Sequence, residues 1–178
     1  MSFDSPSADE YSPFFAGYVA AVAGRPVPEL LASQVEVIDR LFRPLSEEEA
    51  GFRYAPGKWT LRQMLGHLTD AERVFSYRAF RISRGDTTPL PGFDENPYVE
   101  AGNFDDRTIA DLLDEFHAAR ASTLALFRHI PPDAGMRRTV VNGVPLTLRA
   151  QAHVLAGHLE HHLRILAERY GRTPGQTA

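Results

Sequence analysis

Four stretches in which apolar residues recur at helical spacing, each fenced by a cap or a breaker, constrain this chain more than any other feature. The first runs from Glu29 to Phe42, carrying Leu30, Leu31, Gln34, Val37, Ile38 and Leu41 on one face, with Pro26 and Pro28 at its start and Pro44 at its end. The second is opened by Thr60 with Gln63 three residues later, the reciprocal capping box, and is predicted to run from Leu61 to Arg84. Thr108 with Asp111 opens the third, whose stripe is Ile109, Leu112, Leu113, Phe116, Leu124, Phe127 and Ile130, and Pro131-Pro132 stops it. Thr147 caps a fourth, from Leu148 to Tyr170, and Gly171 closes it. Four long amphipathic helices bury their stripes against one another, so the fold class is all-α, a four-helix bundle.

The connections carry their own signals. A turn-rich run, Arg53-Tyr54-Ala55-Pro56-Gly57, leads into the second helix. Between the second and third helices, Gly85 to Asp106 holds Pro89, Pro91, Gly92, Pro97 and Gly102, too many breakers for a regular element. A loop this long in a compact domain is often functional. Arg138-Thr139-Val140-Val141 and Val144-Pro145-Leu146 flank Asn142-Gly143, which predicts a short β-hairpin before the last helix because both turn positions tolerate positive φ. At 178 residues and 43% hydrophobic content, the chain supports one domain. Its core is expected over about residues 29–171, with extensions at 1–28 and 172–178.

Charge and composition narrow the function. Nineteen basic and 23 acidic residues, mixed along the chain to a net −4, give no basic footprint for nucleic acid or an anionic membrane. No stretch approaches the ~18 apolar residues of a membrane span, and the N-terminus lacks a basic region followed by an apolar core, so a cytoplasmic protein acting on small molecules is expected. The absence of cysteine removes disulfides, thiolate metal sites and a protein thiol nucleophile together, so any metal must be held by histidine and carboxylate.

Histidine supplies such a site. His158 and His162 lie four apart on the last helix, one turn from each other, where two nitrogens can close on one ion. At about 100° per residue from His158, His162 falls near +40°, Leu155 near +60°, Leu166 near +80°, Ile165 near −20° and Val154 near −40°, so both imidazoles point into the bundle. His161 falls at about −60°, on the edge, while Glu160 and His153 fall at about 200° and 220°, on the side away from the core. On the second helix His67 shares a face with Met64, Ala71, Val74 and Ile82 and offers a third ligand. A lone inward histidine is usually a hydrogen-bonded core residue. Three would each need a partner against desolvation, and one shared metal satisfies all. His117 and His129 lie at the edge and outside of the third helix's stripe and read as ordinary histidines.

Rival metal motifs fail by residue. A zincin helix needs glutamate directly after the first histidine, where Leu159 stands. A di-iron bundle needs Glu-x-x-His twice, but Leu163 follows Glu160 and Phe75 follows Glu72 at that spacing. Two arginines, Arg78 near His67's angle and Arg120 within the third helix's stripe, require anionic partners. Each is either a bundle salt bridge or a clamp for a substrate carboxylate. Phe93, Asp94 and Glu95 in the long loop are placed to reach the mouth of the site, where an acidic group can shuttle a proton.

Gly57-Lys58-Trp59-Thr60-Leu61 leading into Leu65-Gly66-His67-Leu68, the hairpin before Leu146-Thr147-Leu148, and His153 followed by His158-Leu159-Glu160-His161-His162-Leu163 resemble the DinB-like (DinB/YfiT) superfamily, over about Leu30 to Tyr170. The resemblance implies a four-helix bundle binding one divalent metal, zinc or nickel, through His67, His158 and His162, and a homodimer. Members so resembled include metal-dependent hydrolases, transferases of low-molecular-weight thiols such as bacillithiol or mycothiol, and isomerases with a thiol cofactor. Three neutral imidazoles without a fourth protein ligand leave a position open, the pattern of a catalytic site. The ion would lower the pKa of a bound water or hold an exogenous thiol as thiolate. Two classes of function therefore stand: a metal-dependent hydrolase or thiol transferase, and a non-catalytic, stress-related metal or small-molecule binding protein.

Overall fold

Each long helix begins where its cap places it. In the computed structural model, which describes residues 3–174, the elements in chain order are α1 (Ala16–Ala21), α2 (Val27–Phe42), α3 (Glu47–Ala50), α4 (Leu61–Ser83), α5 (Glu95–Ala101), α6 (Ile109–Arg128), the strands β1 (Arg138–Val141) and β2 (Val144–Thr147), and α7 (Leu148–Tyr170). The Thr60 hydroxyl accepts from the Gln63 amide at 3.1 Å while the Gln63 side chain accepts from the Thr60 amide at 2.9 Å, closing the capping box of α4. Thr108 and Thr147 each accept from the amide three residues on, at 3.2 Å, to start α6 and α7. Gly171 ends α7 with φ of 64°, a left-handed conformation that suits glycine. The one early start is α2, which begins at Val27 because Pro28 sits in the first turn, where a missing N–H costs nothing.

Helices α2, α4, α6 and α7 form the bundle, and the mostly helical chain carries one two-stranded sheet ahead of α7. The strands pair antiparallel with Val141 opposite Val144, turning through Asn142 and Gly143 at φ of 48° and 79°. No helix among the described residues is long and apolar enough to cross a membrane. The core has two apolar clusters. One gathers Ala71, Phe75, Leu146 and Leu155 at the hairpin end; the other gathers Ile38, Leu65, Phe116 and Leu159. The histidine-bearing turns of α4 and α7 lie where they meet.

Two segments depart from expectation. The 85–106 loop contains a regular element, α5, capped by Asp94, whose carboxylate accepts from the Asn96 amide at 3.1 Å. Pro97 is tolerated because it stands at the third helical position, among amides that have no intrahelical partner. The loop is pinned at both ends. Leu90 exchanges backbone hydrogen bonds with Val140 and Asn142 at 2.8 and 3.0 Å, and Phe104 buries its ring over Gly66, where any Cβ would stand 2.4 Å from ring carbons.

The second departure is at the N-terminus. Residues 3–28, expected as an extension, contribute Phe3, Val19, Val22 and Val27 to the buried core. Glu10 binds Thr147 and Arg149, and α1 runs so close to α7 that Gly157 touches the Tyr18 backbone. This covering corrects two angular assignments on α7. His153 is 1% exposed, its Nδ1 at 2.8 Å from the Arg149 carbonyl, and Glu160 accepts from Gln34 at 2.8 Å and Arg25 at 2.9 Å rather than standing free in solvent. The C-terminal extension lies outside the described residues beyond position 174.

Candidate metal centre

His67, on the second turn of α4, meets His158 and His162 on adjacent turns of α7, and all three are buried. Their Nε2 atoms form a nearly equilateral triangle: 3.0 Å from His67 to His158, 3.1 Å from His67 to His162 and 3.1 Å from His158 to His162. Aromatic rings brace them. Trp59 lies 4.7 Å from the His67 ring, while Phe75 and Tyr18 present edges to His158 at 5.2 and 5.6 Å between centroids.

The electrostatics keep the cluster neutral. Burial, and after it the neighbouring His161, pushes the His67 imidazole from 6.5 down to about 4. Burial, followed by the other imidazoles, drives His158 and His162 well below the usual range as well. A neutral imidazole nitrogen is either a donor or a lone pair. With three atoms and two roles, at least one of the three close pairs must set like against like. All three contacts become favourable together only when three lone pairs converge on a cation. A triangle of this edge has its centre about 1.8 Å from each corner, inside the ~2.0–2.1 Å of a zinc–imidazole bond, so an ion fits at the triangle with ordinary bond lengths. The donor set therefore fits a divalent metal. Among the described residues His67, His158 and His162 form the group close enough to share an ion. His161 instead rests against the Tyr18 ring with centroids 5.1 Å apart, His117 lies 3.2 Å from Asp39, and His129 is exposed.

The triangle opens into a cavity of about 470 Å³, within the usual range for a small-molecule site. Phe93, Asp94 and Glu95 of the long loop stand on its wall, as do Phe15 and Tyr18 from the N-terminal segment. Burial, and after it the charge of Glu95, raises the Tyr18 phenol above its ordinary 10.0 and keeps it protonated. Sequence reasoning missed Tyr18 and Phe15, which lie in a segment too short for a periodic signal. Trp59 was visible as a motif residue but not as a wall.

The two arginines separate. Arg120 is 1% exposed and fully engaged: Nε and Nη2 donate to the two Glu72 oxygens at 2.9 Å, and Nη1 donates to the Leu31 carbonyl at 2.7 Å and to Gln34 at 3.0 Å. It is a bundle salt bridge, with four of its five N–H donors spent on scaffold acceptors. Arg78 lines the cavity, donates from Nη2 to the Pro91 carbonyl at 2.9 Å, and rests between the Phe75 and Phe93 rings.

Comparison with known proteins agrees with this architecture. YfiT from Bacillus subtilis, described as a probable metal-dependent hydrolase with an unusual four-helix bundle topology, superposes with a TM-score of 0.68 over 94% of each chain at 19% identity. No curated protein sequence matches the chain. The DinB superfamily profile matches residues 30–166, spanning α2 to α7 and all three histidines. The chain therefore belongs to the DinB superfamily.

Proposed function

We propose that this protein is a divalent-metal-dependent hydrolase of small molecules, its single zinc or nickel ion held by His67, His158 and His162. The observation that carries the reading is the triangle of three neutral Nε2 atoms at the floor of an open cavity, with no carboxylate or fourth histidine among the described residues close enough to share an ion with it. A divalent ion bound there supplies Lewis acidity and a nucleophile usable at neutral pH.

The chain's own groups do the rest. The three imidazoles hold their lone pairs toward the cavity, and Trp59, Phe75 and Tyr18 fix the rings and exclude bulk water from one side. Glu95 stands on the wall and is the carboxylate available to accept a proton, since Asp94 is occupied as the cap of α5. A carboxylate there could take the proton that water, or equally an exogenous thiol, must lose to become the nucleophile, and the description of YfiT as a probable metal-dependent hydrolase puts water first. Transfer of a low-molecular-weight thiol is the second reading, supported by the same open position.

Metal analysis and activity test these separately. Wild-type protein should carry one equivalent of zinc or nickel, and the His158→Ala variant none after desalting; equal stoichiometry in both would sink the ligand assignment. At a hundredfold excess of metal over Kd the fold gains about 2.7 kcal/mol, which for a chain of this size is roughly 5–10 °C in Tm. Metal-loaded protein should then cleave members of an ester and amide panel. Turnover only of an electrophile with a bacterial thiol would favour the second reading, and silence on both panels a binding protein.

A further inference from the structure

Arg78 is 4% exposed, yet its cationic head has one hydrogen bond, from Nη2 to Pro91, for five N–H donors. No acidic side chain among the described residues comes within 4.0 Å of it, Asp94 and Glu95 on the same cavity wall included. Its other contacts are the faces of Phe75 and Phe93, with the guanidinium 5.7 and 5.8 Å from the ring centroids. A guanidinium held this way at the wall of an open cavity offers its unused donors and its charge to an anion entering from that cavity.

The anion's place is set by the cavity. Arg78 and the three histidines line the same space, and the legs of 5.7 and 5.2 Å through the Phe75 ring bound the guanidinium's distance from the His158 ring at about 11 Å. That span suits a small molecule with one end at each. Phe15, Phe75 and Phe93 make the wall between them apolar. One guanidinium matches one negative charge in planar, two-point fashion, and the nearby carboxylates of Asp94 and Glu95 disfavour a dianion.

We infer that Arg78 is the substrate's anchoring residue and that the cavity takes a small carboxylate with an apolar body, its carboxylate on the guanidinium and its reactive group toward the three histidines. This rests on the reading of the cavity as the reaction site, but binding at Arg78 can be measured without the metal. Trp59, the sole tryptophan, lines the cavity and reports occupancy by fluorescence. Chelator-treated protein is titrated with 3-phenylpropanoate, its neutral amide 3-phenylpropanamide, and phenyl phosphate.

Wild type should bind the carboxylate at least tenfold more tightly than the amide, and R78M should lose that preference to within twofold. R78K, which keeps the charge without the planar fork, should keep part of it and serves in place of R78M should the latter not fold, as judged by circular dichroism. Survival of the full preference in the variant, absence of a preference in wild type, or tighter binding of phenyl phosphate overturns the inference. Failure of metal binding leaves this titration unchanged and overturns only the hydrolase reading.

Discussion

Gly157→Ala tests the tightest surroundings of any glycine among the described residues. A Cβ at position 157 would stand 2.0 Å from the Tyr18 carbonyl oxygen, 2.5 Å from its carbonyl carbon and 2.9 Å from its Cα. Ordinary contact requires about 3.5 Å, so α1 must retreat by more than 1 Å, and because the opposing atoms are backbone no rotamer change relieves them. Two terms compete. Alanine in the interior of α7 gains about 1 kcal/mol in helix propensity. Against it stands overpacking, typically ~1–3 kcal/mol and more when backbone must move, bounded by the cost of undocking α1 and exposing Val19 and Val22 at about 1.5–3 kcal/mol each. The net expectation is a loss of roughly 2–4 kcal/mol, a fall in Tm of about 5–15 °C for a chain of this length. Calorimetry or circular dichroism reads the melt, and hydrogen exchange should show protection lost at residues 16–22 while α2, α4 and α6 keep theirs. An unchanged or raised Tm would mean that propensity alone acts at this position and that α1 does not lie on α7 as described.

Three further outcomes follow from the charged groups. Glu72→Ala leaves the Arg120 guanidinium buried without its bidentate partner and should cost about 3–5 kcal/mol in urea unfolding; the double variant Glu72→Leu, Arg120→Met should recover most of it, and no recovery would show that the loss comes from packing. In chelator-treated protein, His67 has a folded pKa of about 4 against 6.5 when unfolded, so the folded state binds fewer protons between those values and stability falls as pH drops through that window. At 1.36 kcal/mol per unit, His67 alone accounts for about 3 kcal/mol of that fall by pH 4, and His67→Ala should make the profile between pH 4.5 and 6.5 shallower, with His158 and His162 supplying the remaining slope; an identical profile would contradict the burial argument. Glu95→Gln should lower kcat on a cleaved substrate by about a hundredfold or more while metal stoichiometry holds, and a retained kcat would remove Glu95 as the proton acceptor.

The bundle was legible because helix ends are written locally. Thr60, Thr108, Thr147 and Gly171 each mark a terminus with one side chain or one backbone preference, and the structure starts or ends its helices at those residues. The inward angle of His67, His158 and His162 was legible for the same reason, since it depends only on helical period. What stayed hidden depends on neighbours distant in sequence. An angular reading gives a helix one covered face, but α7 is buried at every position from Ala150 to Leu159, so no face there is solvent. The signal existed in Ala150, Ala152, Ala156 and Gly157, small residues spread around the helix that let other backbone approach from several sides. Residues 3–26 fold as short turns and a six-residue helix, with no period long enough to detect.

The two buried arginines show how this fold treats a cation that belongs to the scaffold and one that does not. Arg120 draws a carboxylate from α4 and an amide oxygen and a backbone carbonyl from α2, three acceptors supplied by two neighbouring helices. Arg78, on α4, is given one carbonyl and two aromatic rings, although Asp94 and Glu95 stand on the same cavity wall. A protein able to place Glu72 opposite Arg120 has the means to place an acid opposite Arg78. The same economy governs the histidines: His153 has the Arg149 carbonyl, whereas the three Nε2 atoms of the triangle have only one another. On the proposed reading a resident divalent ion would meet the demand for a cation and the substrate's carboxylate the demand for an anion, so selection among substrates would rest on Arg78 rather than on the bundle that carries it.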